Sequence, residues 1–272
     1  MKASSVIGVV IGLVTIALGA TMEGAPVMAV LNPSAILIVL GGTFGAVMTG
    51  TSMGAIKNIP TMFKKSFSAE PPDLNARVTE LVSYAEQARR DGLLALDEQL
   101  ASIEDPYTRK GLQLVVDGTD PDLVADVLEA ENDAMRKRHA ASTQPFDKAG
   151  GYAPTMGIIG TVFGLIHVLG NLSKPETLGP SISAAFIATL LGIASANIVY
   201  LPISARLKQL SQEELHFRGM TLEGILAIQA GDNPRVVAEK LMAYVPPGER
   251  PTEEEAAAAA DAARAAKAEK AA

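Results

Sequence analysis

The sequence predicts an all-α integral membrane protein of four transmembrane helices, with a helical cytoplasmic domain between the second and third. Three observations carry that reading. Residues 5–22, 35–53, 152–172 and 182–201 are long apolar stretches without one acidic side chain, each long enough to cross ~30 Å of hydrocarbon as a helix. Their apolar residues run on without the alternation of a barrel strand, and only helices or closed barrels satisfy every backbone group in lipid. Mean hydropathy is +0.23 over the 272 residues, with 4% aromatic residues and no Trp. A chain with so few large core anchors buries its apolar surface against lipid or copies of itself.

The first span lacks a small-residue cleavage pattern and is followed closely by a second, so it reads as a retained anchor. Orientation follows the basic residues. Lys2, the Lys57, Lys64 and Lys65 group after span two, and Arg206 and Lys208 after span four are expected in the cytoplasm. The links 23–34 and 173–181 hold only Glu23, Lys174 and Glu176 and face outward. Both termini are then cytoplasmic. The formal charge of −7 falls on the soluble parts, which points to a protein partner and away from nucleic acid.

Five segments follow: spans one and two (1–53), a helical arm (54–151), spans three and four (152–203), a helical segment (204–251) and an Ala/Glu/Lys-rich tail (252–272). In the arm, Leu74, Val78, Leu81, Val82 and Ala85 recur at helical spacing until Asp91 and Gly92 break the pattern, and a second helix is expected from Leu93. Residues 108–116 and 122–138 read as further helices, separated by Asp117–Gly118 and Asp120–Pro121. Beyond span four, 206–230 and 235–244 read as amphipathic helices divided by Gly231 to Pro234. The tail has no apolar face to bury and is expected to fray.

The spans are of two kinds. Spans one and two are Val, Ile, Leu, Gly and Ala with scattered Thr, as lipid contact and scaffold packing require. In span three Gly157, Gly160, Thr161 and Gly164 share one helical face. In span four Ala185, Thr189, Gly192 and Ala196 do the same. Small residues at this spacing let two backbones approach, and Thr161 and Thr189 fall near one depth. Packing alone accounts for the stripe; two converging hydroxyls would also suit a water-accessible path or a cation. Neither hydroxyl can take up or release a proton near neutral pH. The one ionisable candidate for a relay in the spans is His167, toward the outer end of span three, which suits interfacial packing. A carboxylate for ion transport must therefore come from a partner. Pro154 reads as a first-turn proline at the cytoplasmic start of span three. Pro202, at the cytoplasmic end of span four, frees a carbonyl in the preceding turn. The pair brackets an inner mouth and suits a hinge.

Four segments resemble the MotA/PomA flagellar stator proteins: the run from Ala88 to Glu98, that from Tyr152 to Thr161, that from Ala185 to Gly192, and that from Glu223 to Arg235. The resemblance runs in order from Val6 to Tyr244. It implies a homo-oligomeric ring of five copies around a dimer of a MotB-like subunit whose single membrane helix carries an essential Asp. It also implies a place in the bacterial inner membrane, and ion flow that turns the ring so that its arms push on the rotor protein FliG. Arg90 and Glu98 match the family's rotor-contact positions, with Arg89 and Asp97 beside them. Pro154 and Pro202 match its coupling prolines, and Thr189 its ion-path threonine. The transported ion is H+ or Na+: Thr161 resembles sodium-driven members, whereas Ala188 and Asn32 depart from them. Without the resemblance the arm charges are a solvated helical surface. Two other readings are an ExbB/TolQ-like motor, which has three spans and a differently placed cytoplasmic segment, and a non-conducting tetraspan scaffold. No catalytic residue, metal site or cofactor is expected, since zero Cys removes thiolate chemistry and no nucleophile with an oriented base appears.

Overall fold

The computed structural model describes residues 2–24 and 31–251, without the side chains of residues 2–5; the tail and residues 25–30 of the first outer link lie outside them. All regular structure among the described residues is helical. The chain divides into two compact units, Met1–Glu70 with Met135–Gln212, and Pro71–Ala134 with Glu213–Ala272.

The first unit opens with α1 (Lys2–Met22), then α2 (Pro33–Thr49). Asn32 starts α2: its side-chain oxygen accepts from the N–H groups of Ser34 (3.0 Å) and Ala35 (3.2 Å), with Pro33 in the first turn. A widened π turn, Leu37–Gly41, lies inside α2. Two short helices follow, α3 (Met53–Lys57) and α4 (Ile59–Ser68).

In the second unit, α5 (Leu74–Asp91) is capped by Asp73 and ends where Gly92 adopts φ 86°, the break expected from the sequence. The helix expected from Leu93 is instead a tight 3₁₀ turn, Leu93–Leu96, leading into the one-turn α6 (Asp97–Leu100). Leu96 and Leu100 point inward while Leu94 stays exposed, so no continuous apolar face extends a helix here. The helix α7 (Pro106–Val116) is capped by Asp105. Gly118, at φ 72°, turns the chain into α8 (Pro121–Gly170).

The two longest helices correct the sequence reading. Residues 122–138 and span three are one 50-residue helix. Pro154 is therefore not in a first turn but deep inside α8, where it withholds the N–H that Gly150 O would accept. Likewise span four and residues 206–230 are one helix, α9 (Pro175–Gln229). Its π turn, Ser195–Tyr200, ends just before Pro202, and the ladder adapts around the missing donor without stopping. Hydropathy marks where lipid ends, not where a helix ends. Gly231, at φ 73°, and the Asn233 cap then open α10 (Pro234–Met242).

Each unit has its own packing. In the second, Leu81, Leu112, Leu128, Met220, Ile225 and Leu241 are fully buried in one cluster. Arg77 is buried beside it, with Nη1 donating to Thr108 Oγ1 (2.5 Å), Nη2 to Asp105 (3.1 Å), and its guanidinium 4.6 Å from the Phe217 ring centre. In the first unit the buried clusters are small, and large apolar side chains face outward instead. Ile7, Val10, Ile11, Val14 and Leu18 of α1, Ile158, Val162, Phe163 and Ile166 of α8, and Phe186 and Ile193 of α9 are all exposed. So much outward apolar surface needs lipid or another chain to cover it.

Candidate functional site: the seam between two long helices

The helices α8 and α9 meet along the two small-residue faces that the sequence places opposite one another. A Cβ built on Gly157 would lie 2.8 Å from the Ala188 carbonyl oxygen, and one on Gly192 2.5 Å from that of Ala153. On Gly160 it would meet Ala188 Cβ at 2.7 Å, and on Gly164 Ala185 Cβ at 2.5 Å. All four glycines therefore face backbone or the first atom of an alanine, and close backbone approach is the reason for glycine there. Ala153, Ala185, Ala188 and Ala196 are buried in the same seam.

At its centre Thr161 and Thr189 touch hydroxyl to hydroxyl. Thr161 Oγ1 also lies 3.1 Å from the carbonyl oxygen of Gly157 on its own helix and 3.1 Å from that of Ala185 on the other. A hydroxyl has one proton. Thr161 shares its proton between the two carbonyls and Thr189 donates to Thr161, which leaves both acceptor sites of Thr189 open. The result is a cluster of four neutral oxygens between two close backbones, each a hard ligand or water partner. It contains no ionised group. The sequence expectation that these two hydroxyls converge is met, and so is the expectation that a threonine in a span bonds its own helix.

The prolines lie toward one end of this seam. Ala153, next to Pro154, faces Gly192, while Gly150 faces Leu201, next to Pro202. Pro154 is half-buried and Pro202 exposed. Nearby is a polar trio that sequence reading missed: Asp147 accepts from Ser204 Oγ at 2.6 Å and Lys208 Nζ at 2.8 Å, joining α8 to α9. Lys148 also donates to the Gly50 carbonyl at the end of α2. Lys208 registers in the sequence only as an inside-positive charge, because its acid lies 61 residues away. At the other end His167 is exposed, and its carbonyl accepts from Asn171 Nδ2 at 2.8 Å. It borders a cavity of about 250 Å³ shared with Ala35 and Ile38 of α2.

The charged positions of the second unit cluster at the turn after α5. Arg89, Arg90, Asp97 and Glu98 are all exposed, on either side of Gly92. Gln87 Nε2 donates to the Ala95 carbonyl (3.0 Å), and buried Leu96 and Leu100 pin the turn beneath them. Arg90 alone of the four is engaged: it clamps Asp91 at 2.8–3.1 Å, and those bonds raise the guanidinium pKa and lower that of the carboxyl. Arg89, Asp97 and Glu98 make no ion pair among the described residues. The turn therefore combines a fixed backbone with outward charge.

Comparison with known proteins matches residues 6–90 to the motility protein A N-terminal family and residues 99–220 to the MotA/TolQ/ExbB proton channel family. Motility protein A of Bacillus subtilis is 36% identical over 254 residues, covering 92% of this chain and 93% of the relative. This chain belongs to the motility protein A family. The N-terminal match separates it from an ExbB- or TolQ-like motor, since the channel family alone includes all three. Chemotaxis protein PomA of Vibrio alginolyticus, in the same family, is 34% identical, with 93% of this chain and 99% of PomA covered. Among solved structures, the flagellar MotAB stator complex of Bacillus subtilis matches with a TM-score of 0.85 at 36% identity (91% of this chain, 98% of that one). C. jejuni MotAB matches at 0.87 and 30% (91% and 97%).

Proposed function

We propose that this chain is the ring-forming subunit of a flagellar stator, coupling transmembrane ion flow to torque on the rotor. The observation that carries the reading is the α8–α9 seam, with Thr161 and Thr189 joined at its centre, in a chain of the motility protein A family. The hydroxyls and the Gly157 and Ala185 carbonyls offer neutral oxygens for a hydrated or partly dehydrated cation. The four apolar stretches contain no carboxylate, so the group that binds and releases the ion belongs to a MotB-like partner, in keeping with the matching MotAB stator structures. The chain acts as a channel wall and lever, not as an enzyme, and uses no cofactor; H+ or Na+ is its transported ion.

In this reading α1, α2, and the apolar parts of α8 and α9 are the four spans, set in the bacterial inner membrane with both termini in the cytoplasm. Five copies ring the partner, their outward apolar side chains covered by lipid and by one another. The turn carrying Arg89, Arg90, Asp97 and Glu98 meets FliG. Pro154 and Pro202 interrupt the donor ladders of α8 and α9 close to the seam, so movement there passes along two continuous helices to the lever.

The test is swimming speed in a stator-deleted strain expressing this chain with its partner, over a sodium series at fixed pH with a protonophore control. Speed that rises with sodium and survives the protonophore identifies a sodium stator with Thr161 as a ligand. Speed indifferent to sodium but lost with the proton gradient identifies a proton stator and leaves Thr161 to packing. No motility under either gradient, with partner and chain both in the membrane, contradicts the reading.

A further inference from the structure

Asp147 is the one acidic residue between Asp133 and Glu176. It lies fourteen residues from Thr161, with Pro154 midway. Two heptads of spacing put all three on one stripe of α8, about 21 Å from end to end. Both carboxylate oxygens meet the Lys208 ammonium, at 2.8 and 2.7 Å, and one also accepts from Ser204 Oγ at 2.6 Å. Ser204 is buried, so the carboxylate is held from inside the helix pair as well as from its rim. Its neighbours fix the same level of α8. Phe146 is buried against Ile203 and Leu207 of α9, and Lys148 donates to the Gly50 carbonyl at the end of α2.

The helices α8 and α9 are thus bonded side chain to side chain on both sides of their prolines, by the threonine pair on one side and by Asp147 on the other. In between, the hydroxyls of Thr155 and Ser195 and the amide of Asn197 bond carbonyls of their own helices. Each proline removes a ladder hydrogen bond and leaves its helix easier to bend. A bend in one helix alone would absorb a shift of the seam, whereas a bond across the pair beyond the prolines makes the two bend together. A further cross-helix bond, between His139 Nδ1 and Ser211 Oγ at 2.9 Å, lies about two turns farther from the seam. Asp147 and Lys208 are 40% and 57% exposed, and ion pairs this open contribute little to stability. If Asp147 is removed, the Ser204 hydroxyl can turn back to a carbonyl of its own helix. Loss of the tie should therefore leave fold and assembly in place while freeing one helix from the other.

We propose, on the stator reading above, that Asp147 is a positioning residue for torque: by holding Ser204 and Lys208 it locks α8 to α9 beyond Pro154 and Pro202, so that a shift at the Thr161 and Thr189 seam leaves it as one movement of both helices. The test expresses full-length variants with the partner in a stator-deleted strain and scores partner co-purification, ion flux and torque on a tethered bead. Asp147→Ala should co-purify and conduct at wild-type level yet lose most of its torque. Lys208→Met should do the same, whereas Lys208→Arg, which keeps a cation for Asp147, should keep its torque. Wild-type torque in Asp147→Ala would overturn the proposal. So would torque and flux lost in proportion, which would make Asp147 part of the channel, or lost co-purification, which would make it part of the fold. Equal torque in Lys208→Met and Lys208→Arg would overturn it too. A wild-type chain that turns no bead would instead contradict the stator reading itself.

Discussion

The α8–α9 seam and the core of the second unit are both tightly packed, but from opposite materials. The core is filled by the ends of long side chains: a Cβ on Gly224 would meet Leu81 Cδ1 at 2.7 Å, a methyl that rotation can move. At Gly157 and Gly192 the seam offers backbone atoms instead, which cannot rotate away. Apolar burial in water stabilises the core. Lipid offers the seam no such gain, so its adhesion comes from close contact and from hydrogen bonds such as those of Thr161. A core of this kind tolerates small insertions and suffers from deletions; a seam of this kind does the reverse.

Mutations break or sharpen that contrast. The largest expected effect is Leu128→Ala, which leaves a cavity in the fully buried cluster and should cost about 3 kcal/mol in chemical unfolding of the second unit. Gly192→Ala adds one methyl against the Ala153 carbonyl and should cost about 2 kcal/mol, read as a lower midpoint when α8 and α9 are separated by denaturing detergent. Thr161→Val keeps shape but removes the donor to Gly157 and Ala185, and should cost about 1 kcal/mol in the same titration. Smallest is Gly111→Ala in the core. There the new methyl meets the movable Cδ1 atoms of Ile225 and Leu128, and better helix propensity offsets the crowding, so stability should stay within about 0.5 kcal/mol of wild type. A cost at Gly111 as large as at Gly192 would remove the distinction.

Much of the seam is legible in the sequence because it depends on backbone periodicity: Gly157, Gly160, Thr161 and Gly164 declare one face without knowledge of the partner helix. Gly92, Gly118 and Gly231 likewise mark turns that the structure makes at positive φ. The continuity of α8 and α9 is not legible, since the charged residues after Pro121 and the prolines at 154 and 202 look like boundaries when hydropathy is the guide. Arg77 is hidden for a related reason. On an amphipathic helix an arginine reads as solvated until a distant cap, Asp105, and a ring, Phe217, are brought to it. Asn32 carries a cap signature with Pro33 that a comparison of ion types overlooks. The charges around Gly92 are exposed as expected, but exposure alone does not distinguish a docking surface from a solvated one.

The proposed role of the threonine pair is to serve ion flow and not only helix packing. The direct measurement is Thr189→Val in a stator-deleted strain, scoring partner co-purification, ion flux and bead rotation together. The account predicts a variant that assembles with its partner at wild-type level yet passes no ion and turns no bead; wild-type flux and rotation in that variant would contradict it.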